Sequence, residues 1–232
     1  MAKRKIPLVE GEFYHVFNRG NSKQMIFFDD ADRNRFVKLL YLCNSKNSFN
    51  FRNDIVRKGI EVWDFDRGET IIAIGAWVLM PNHFHIYVTD PYNSRLDLVK
   101  AEIYKSSISL FLEKLSKAYA QYYNAKYKRT GCLFESKFKS VHIETEIQAK
   151  YNFSYIHLNP IKLIDKNWKE NGIKDLKKAK KYLESYKWSS YKDYKGIARS
   201  ENKILNREKF LQYFKTTKDF DEEIIEWLSF SK

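Results

Sequence analysis

The stretch from residue 69 to residue 89 constrains the fold more than any other part of the chain. Residues 69–80 are apolar and rich in β-branched side chains, including Ile71, Ile72, Ile74, Trp77, Val78 and Leu79, and read as a buried strand. Pro81-Asn82 breaks the run. His83 to Thr89 then reads as a second strand, antiparallel to the first. A strand precedes this pair at residues 13–18 and ends at Arg19-Gly20. Asp29 or Asp30 caps a helix to about Cys43, with Phe36, Leu39 and Leu40 on its apolar side.

Residues 44–68 are polar and irregular, a loop or an insertion. Leu98, Ile103, Ile108, Leu110, Leu112, Leu115 and Tyr119 recur at helical spacing and predict a helix over 95–125. Thr130-Gly131 turns the chain into a basic, extended segment at 132–143. Glu144 or Thr145 opens a helix that ends near Asn159-Pro160, because the residue before a proline avoids the helical region. A lysine-rich stretch covers 165–181, and a last helix is predicted over 206–229. There is no repeat and no regular βαβ alternation, so the fold class is α+β with a largely antiparallel sheet. We divide the chain into a main domain, residues 1–200, and a C-terminal helical extension, residues 201–232.

Lys and Arg number 42 against 29 Asp and Glu, a formal charge of +13. That balance favours a polyanionic partner, nucleic acid first. Sixteen Tyr and seventeen Phe add rings that can stack on unpaired bases, although most belong to the core. No stretch reaches the roughly 18 apolar residues of a membrane span, and no apolar run follows the basic N-terminus to make a signal peptide. Cys43 and Cys132 lie far apart and form neither a zinc pattern nor a disulfide framework, which fits the cytoplasm.

Three constellations carry chemistry. His83 and His85 are i and i+2 on a strand, so they share a face and can reach one ion while Phe84 points to the core. The same pair also suits two histidines satisfied by hydrogen bonds. Tyr155 and Asn159 are four apart on one helix face, a phenol beside a carboxamide. They read either as a nucleophile with a neighbouring ligand or as a core ring with a polar tip beside it. The region 119–139 interleaves rings with Lys126, Lys128, Arg129, Lys137 and Lys139, which suits a single strand or a solvated helix end and hairpin.

Together these residues resemble the HUH single-tyrosine transposases, most nearly the REP-associated tyrosine transposases. The resemblance rests on Ala76 through His85, on His15 to Gly20, on Tyr123 through Ser140, on Tyr155 to Pro160 and on Trp188 to Tyr191. It covers about residues 10–195. It implies a ferredoxin-like fold with a central antiparallel sheet, and a divalent ion, magnesium or manganese, on His83 and His85. It maps Tyr155 onto the nucleophile and Asn159 onto the position that often completes the metal shell. Phe134 and Lys137 stand where relatives often carry Trp and Arg, and Lys cannot offer the bidentate fork of Arg.

The implied activity is metal-dependent cleavage and strand transfer on single-stranded, hairpin-bearing DNA through a 5′-phosphotyrosine. Arg19, Lys126, Lys128, Arg129, Lys137 and Lys139 are the candidate DNA contacts. The enzyme would be cytoplasmic, and at the bacterial nucleoid when bound to DNA. Monomer and homodimer both remain open. The alternatives are a non-catalytic single-stranded nucleic-acid-binding protein and a domesticated transposase. His157 and Tyr151 compete for the named roles by proximity.

Overall fold

A computed structural model describes residues 7–90, 106–214 and 216–229. The first six regular elements are β1 (Phe13–Arg19), α1 (Asp30–Cys43), β2 (Ala73–Met80), β3 (His83–Thr89), α2 (Ser107–Lys126) and β4 (Lys139–Ile143). They form a four-stranded sheet in the order β2-β3-β1-β4, with antiparallel neighbours throughout. This βαββαβ order is the ferredoxin-like arrangement that the resemblance implies. Five further helices follow: α3 (Glu146–Leu158), α4 (Trp168–Asn171), α5 (Leu176–Ser185), α6 (Tyr191–Tyr194) and α7 (Thr217–Ser229).

Both faces of the sheet are covered. On one, Tyr14, Val16, Trp77, Phe84, Ile86 and Val88 pack with Phe36 and Leu40 of α1 and with Phe111, Leu115 and Tyr119 of α2. On the other, Ala76, Val78, Met80 and Tyr87 pack with Phe153 and Ile156 of α3, Leu183 of α5 and Phe220 and Ile224 of α7. Double coverage explains why residues 73–80 read as a continuous apolar run and not as an alternation: every one of them is buried. A bulge at Gly75 lets Ile74 and Ala76 face opposite sides, since Ile74 pairs with Val88 and Ala76 with Tyr87. A Cβ at Gly75 would stand 2.8 Å from the Phe210 ring.

Local chemistry explains the element ends. Asp29 caps α1 in a capping box with Asp32. Ser106 caps α2 and Thr145 caps α3, each accepting from the backbone N–H three residues on. α3 stops at Leu158, but Asn159 keeps helical angles despite Pro160, and the chain tightens into a 3-10 turn over Asn159–Leu163. The predicted helix over 95–125 is described from Ser107; Leu98 and Ile103 lie outside the described residues.

Three predicted elements come out shorter, the first being β2, which covers Ala73–Met80 and not 69–80. Of the segment 132–143 only Lys139–Ile143 is a strand; Phe134 makes an isolated bridge to Gly20, and the Asn18 carboxamide donates to the carbonyls of Ser136 and Lys137 in the loop between. The last helix covers Thr217–Ser229 and not 206–229. Asn206 N–H donates to Ile74 O at 3.0 Å, and Phe210, in extended backbone, packs on Phe13 and Tyr87, so this stretch is tied to β2 instead of winding. The segment Trp188 to Tyr191 covers the outer edge of β2: Leu79 N–H donates to Trp188 O and Ser190 N–H to Trp77 O. No helix among the described residues is long and apolar enough to cross a membrane.

Candidate active site

Strand alternation places His83 and His85 on the Tyr87 side of the sheet, the side that α3 covers. In the β1–β3 pairing, Phe17 stands opposite His85 and His15 opposite Tyr87, so β1 sends two more rings to this face. His15 Nε2 lies 2.8 Å from His85 Nδ1. The rings of His83 and His85 are 5.0 Å apart and perpendicular. α3 crosses above and sets the Tyr155 ring 5.6 Å from His85 and 5.9 Å from His15, edge-on to both. Residues 83, 85 and 155 therefore meet. His15 joins them, although sequence reasoning assigned it no role. Its strand was legible, but the register that sets it against β3 was not.

Hydrogen bonds orient the imidazoles. Asn82 Nδ2 donates to Lys23 O, which leaves Asn82 Oδ1 to accept from His83 Nδ1 at 2.6 Å. The Nε2 of His83 then carries a lone pair. His85 Nε2 is buried with no partner, and the tautomer that donates from Nδ1–H to His15 leaves it as a lone pair. This is the pattern of a metal-ligating histidine, whose second nitrogen is held by a neighbour. Burial pushes His15 and His83 down to about 4, with the Lys162 and Arg19 charges adding to the effect on His83. Burial also holds His85 well below its ordinary range, helped by its neighbours His15 and His83. All three rings are neutral at pH 7, the form a metal binds.

Asn159 is buried one turn after Tyr155, and neither its Oδ1 nor its Nδ2 has a partner. An unpaired buried carboxamide is costly, and an oxygen ligand to a hard cation would relieve it. In this donor set the imidazole nitrogens suit zinc, iron or manganese better than magnesium, whereas the carboxamide oxygen suits magnesium or manganese. Among the described residues no group of three or more His, Cys, Asp or Glu is placed to hold a metal ion, so this set has no carboxylate.

The two competitors separate cleanly. His157 is fully buried, donates from Nδ1 to Phe153 O and accepts at Nε2 from Ser190 Oγ, so both nitrogens are used in the core. Tyr151 is half exposed, stacks on Tyr155 and meets the edge of Trp227. Two lysines that sequence reasoning passed over also reach Tyr155. Lys169 Nζ lies 4.0 Å from its ring centroid and Lys162 Nζ 5.7 Å. Lys169 sits in the lysine-rich stretch 165–181 and Lys162 just before it, with nothing local to single either out.

The basic candidates fall into different settings. Lys126 bonds to Asp29 and Asp32 at 2.7 Å each, so its charge is already matched and it ties the end of α2 to the start of α1. Arg19 pairs with Glu135. Arg129 lies over the Tyr123 ring. Lys128 is exposed, with a φ of 49° just past α2. Lys137 and Lys139 are exposed, and Lys139 pairs with Phe17, which puts it on the histidine face at the edge strand.

No family model matches this chain, and no curated protein does. One solved structure, described as the structure of the REP associates tyrosine transposase bound to a REP hairpin, is similar over 87% of this chain and 90% of that one. The identity is 12% and the TM-score 0.47, a level at which the likeness decides nothing about chemistry.

Proposed function

We propose that this chain is a single-stranded DNA endonuclease and strand transferase, with Tyr155 as its nucleophile. The observation that carries the reading is the meeting of the Tyr155 ring with His85 and His15 on a sheet face where His83 and His85 are neutral. The sequence resemblance supports it independently. A magnesium or manganese ion held by His83, His85 and Asn159 would, when bound, supply positive charge to the scissile phosphate.

The chain's own residues do the rest. α3 aims the phenol at the sheet face, and the stacked Tyr151 limits its swing. Tyr155 Oη attacks phosphorus in line, forming a bond from phosphorus to the phenol oxygen. The bond from phosphorus to the upstream 3′-oxygen breaks. The phenol gives up its proton, and the leaving oxygen takes one up to become a 3′-OH. A 3′-OH on a second strand reverses the step and restores the phenol. One phosphodiester is exchanged for another, so no ATP is needed. The substrate is hairpin-bearing DNA, with Lys128, Arg129, Lys137 and Lys139 against its phosphates.

The test mixes purified protein with labelled hairpin DNA and manganese and looks for a covalent adduct. Wild type should form it and Tyr155→Phe should not; an adduct in the Phe variant would show that another residue attacks. His83→Ala and His85→Ala should each abolish cleavage while binding persists. Binding with a steep salt dependence and no adduct under any metal would favour the non-catalytic reading.

A further inference from the structure

We propose that Lys162 and Lys169 form an anion-binding pair that receives the phosphate at Tyr155. The proposal rests on Tyr155 as the nucleophile and adds the residues that hold its target.

The two ammonium groups come from separate pieces of backbone. Lys162 lies in the 3-10 turn that follows α3, and Lys169 lies in α4. Trp168 is buried and anchors α4, which holds its neighbour Lys169 over Tyr155. One cation on a phenol face is an ordinary cation–π contact. Two cations on the same ring repel each other, and the ring alone does not account for both. Among the described residues neither ammonium has a carboxylate or a hydrogen-bond partner. Other lysines of the chain do: Lys46, Lys126, Lys150 and Lys195 all bond to Asp or Glu.

The surroundings agree. Burial, with the Lys162 charge adding to it, brings Lys169 down to about 8, and the exposed neighbour Glu170 only partly opposes this. Both lysines also act on His85, so the cations and the imidazoles form one cluster. Bringing positive groups together without a counter-charge is costly in a half-buried place, and a bound anion removes the cost. A phosphodiester oxygen fits: the lysines would meet it on the Tyr155 side, while the open histidine nitrogens face it from the sheet. Such fixed cations stabilise charge that builds up on phosphorus in the transition state.

The experiment has two arms, using the full chain throughout. In the first, Lys162→Gln, Lys169→Gln, the double variant and Lys169→Arg are compared in single-turnover adduct formation on hairpin DNA. The double variant should lose about 100-fold in rate, while its hairpin Kd shifts by less than about threefold because many other cations hold the DNA. Lys169→Arg should recover most of the rate. A double variant within about twofold of wild type would overturn the proposal, since even one such donor is worth more than that.

The second arm does not need cleavage. 3-Fluorotyrosine is placed at position 155 and titrated with inorganic phosphate in the presence of EDTA. A saturable 19F shift in wild type, absent with chloride at equal ionic strength and lost in the double variant, supports the pair. Equal shifts in both proteins overturn it, whatever the adduct assay shows. If wild type forms no adduct, the nucleophile reading falls and the 19F arm alone decides the anion pair.

Discussion

His157 and His85 are both buried imidazoles, and their hydrogen bonds separate their roles. His157 has both nitrogens occupied within the core, whereas His85 keeps one buried nitrogen open. Burial lowers His157 to about 3, against 6.5 in the unfolded chain. Between these values the unfolded state binds a proton that the folded state refuses. The contribution is therefore complete above about pH 6.5 and falls with acidification, at about 1.4 kcal/mol per pH unit. Urea midpoints measured from pH 7.5 to pH 4 should decline, and His157→Gln should remove one proton's share of that slope; an unchanged slope would show that His157 does not titrate on unfolding. At His85 the expected effect is on metal. His15→Leu should weaken manganese binding about 10- to 100-fold by calorimetry, and unaltered affinity would mean that His85 is oriented without help.

At the scale of elements, two joints decide geometry. The bulge at Gly75 accepts the Phe210 ring, so Gly75→Ala should overpack the joint and cost about 1–3 kcal/mol in denaturant unfolding. A cost near zero would mean that the ring shifts freely. The second joint is Asp32, fully buried, which accepts from Phe28 N–H, Lys126, Tyr122 and Tyr127 and joins α1 to α2. Asp32→Ala should cost about 3 kcal/mol by leaving those donors unpaired, read as a lower thermal midpoint. Helices were legible where a cap and a periodic face coincide, as at Asp29 with Phe36 and Leu40. The stretch 206–214 misled because Phe210, Tyr213 and Phe214 dock on the sheet and α3 from irregular backbone and not from a helix face.

For the whole molecule, the sheet separates two tasks: α1 and α2 close one face as core, and α3 brings Tyr155 to the other. The formal charge of +13 predicts salt-dependent binding of a single strand. With about three to six phosphates neutralised, log Kd plotted against log salt should have a slope of magnitude about 2–4; a flat plot would remove the basic region from the interface. The central hairpin, the shared face of His83 and His85, and the spacing of Tyr155 and Asn159 by one helical turn are properties of local periodicity, which strand and helix geometry set without reference to the rest of the chain. Sequence therefore determined them, along with the fold class. Tertiary structure alone decided that His15 meets His85, that Lys126 is matched by Asp29 and Asp32, and that Lys162 and Lys169 converge on Tyr155. Those contacts join residues on different elements, and their distances depend on strand register and helix placement, which no local pattern encodes.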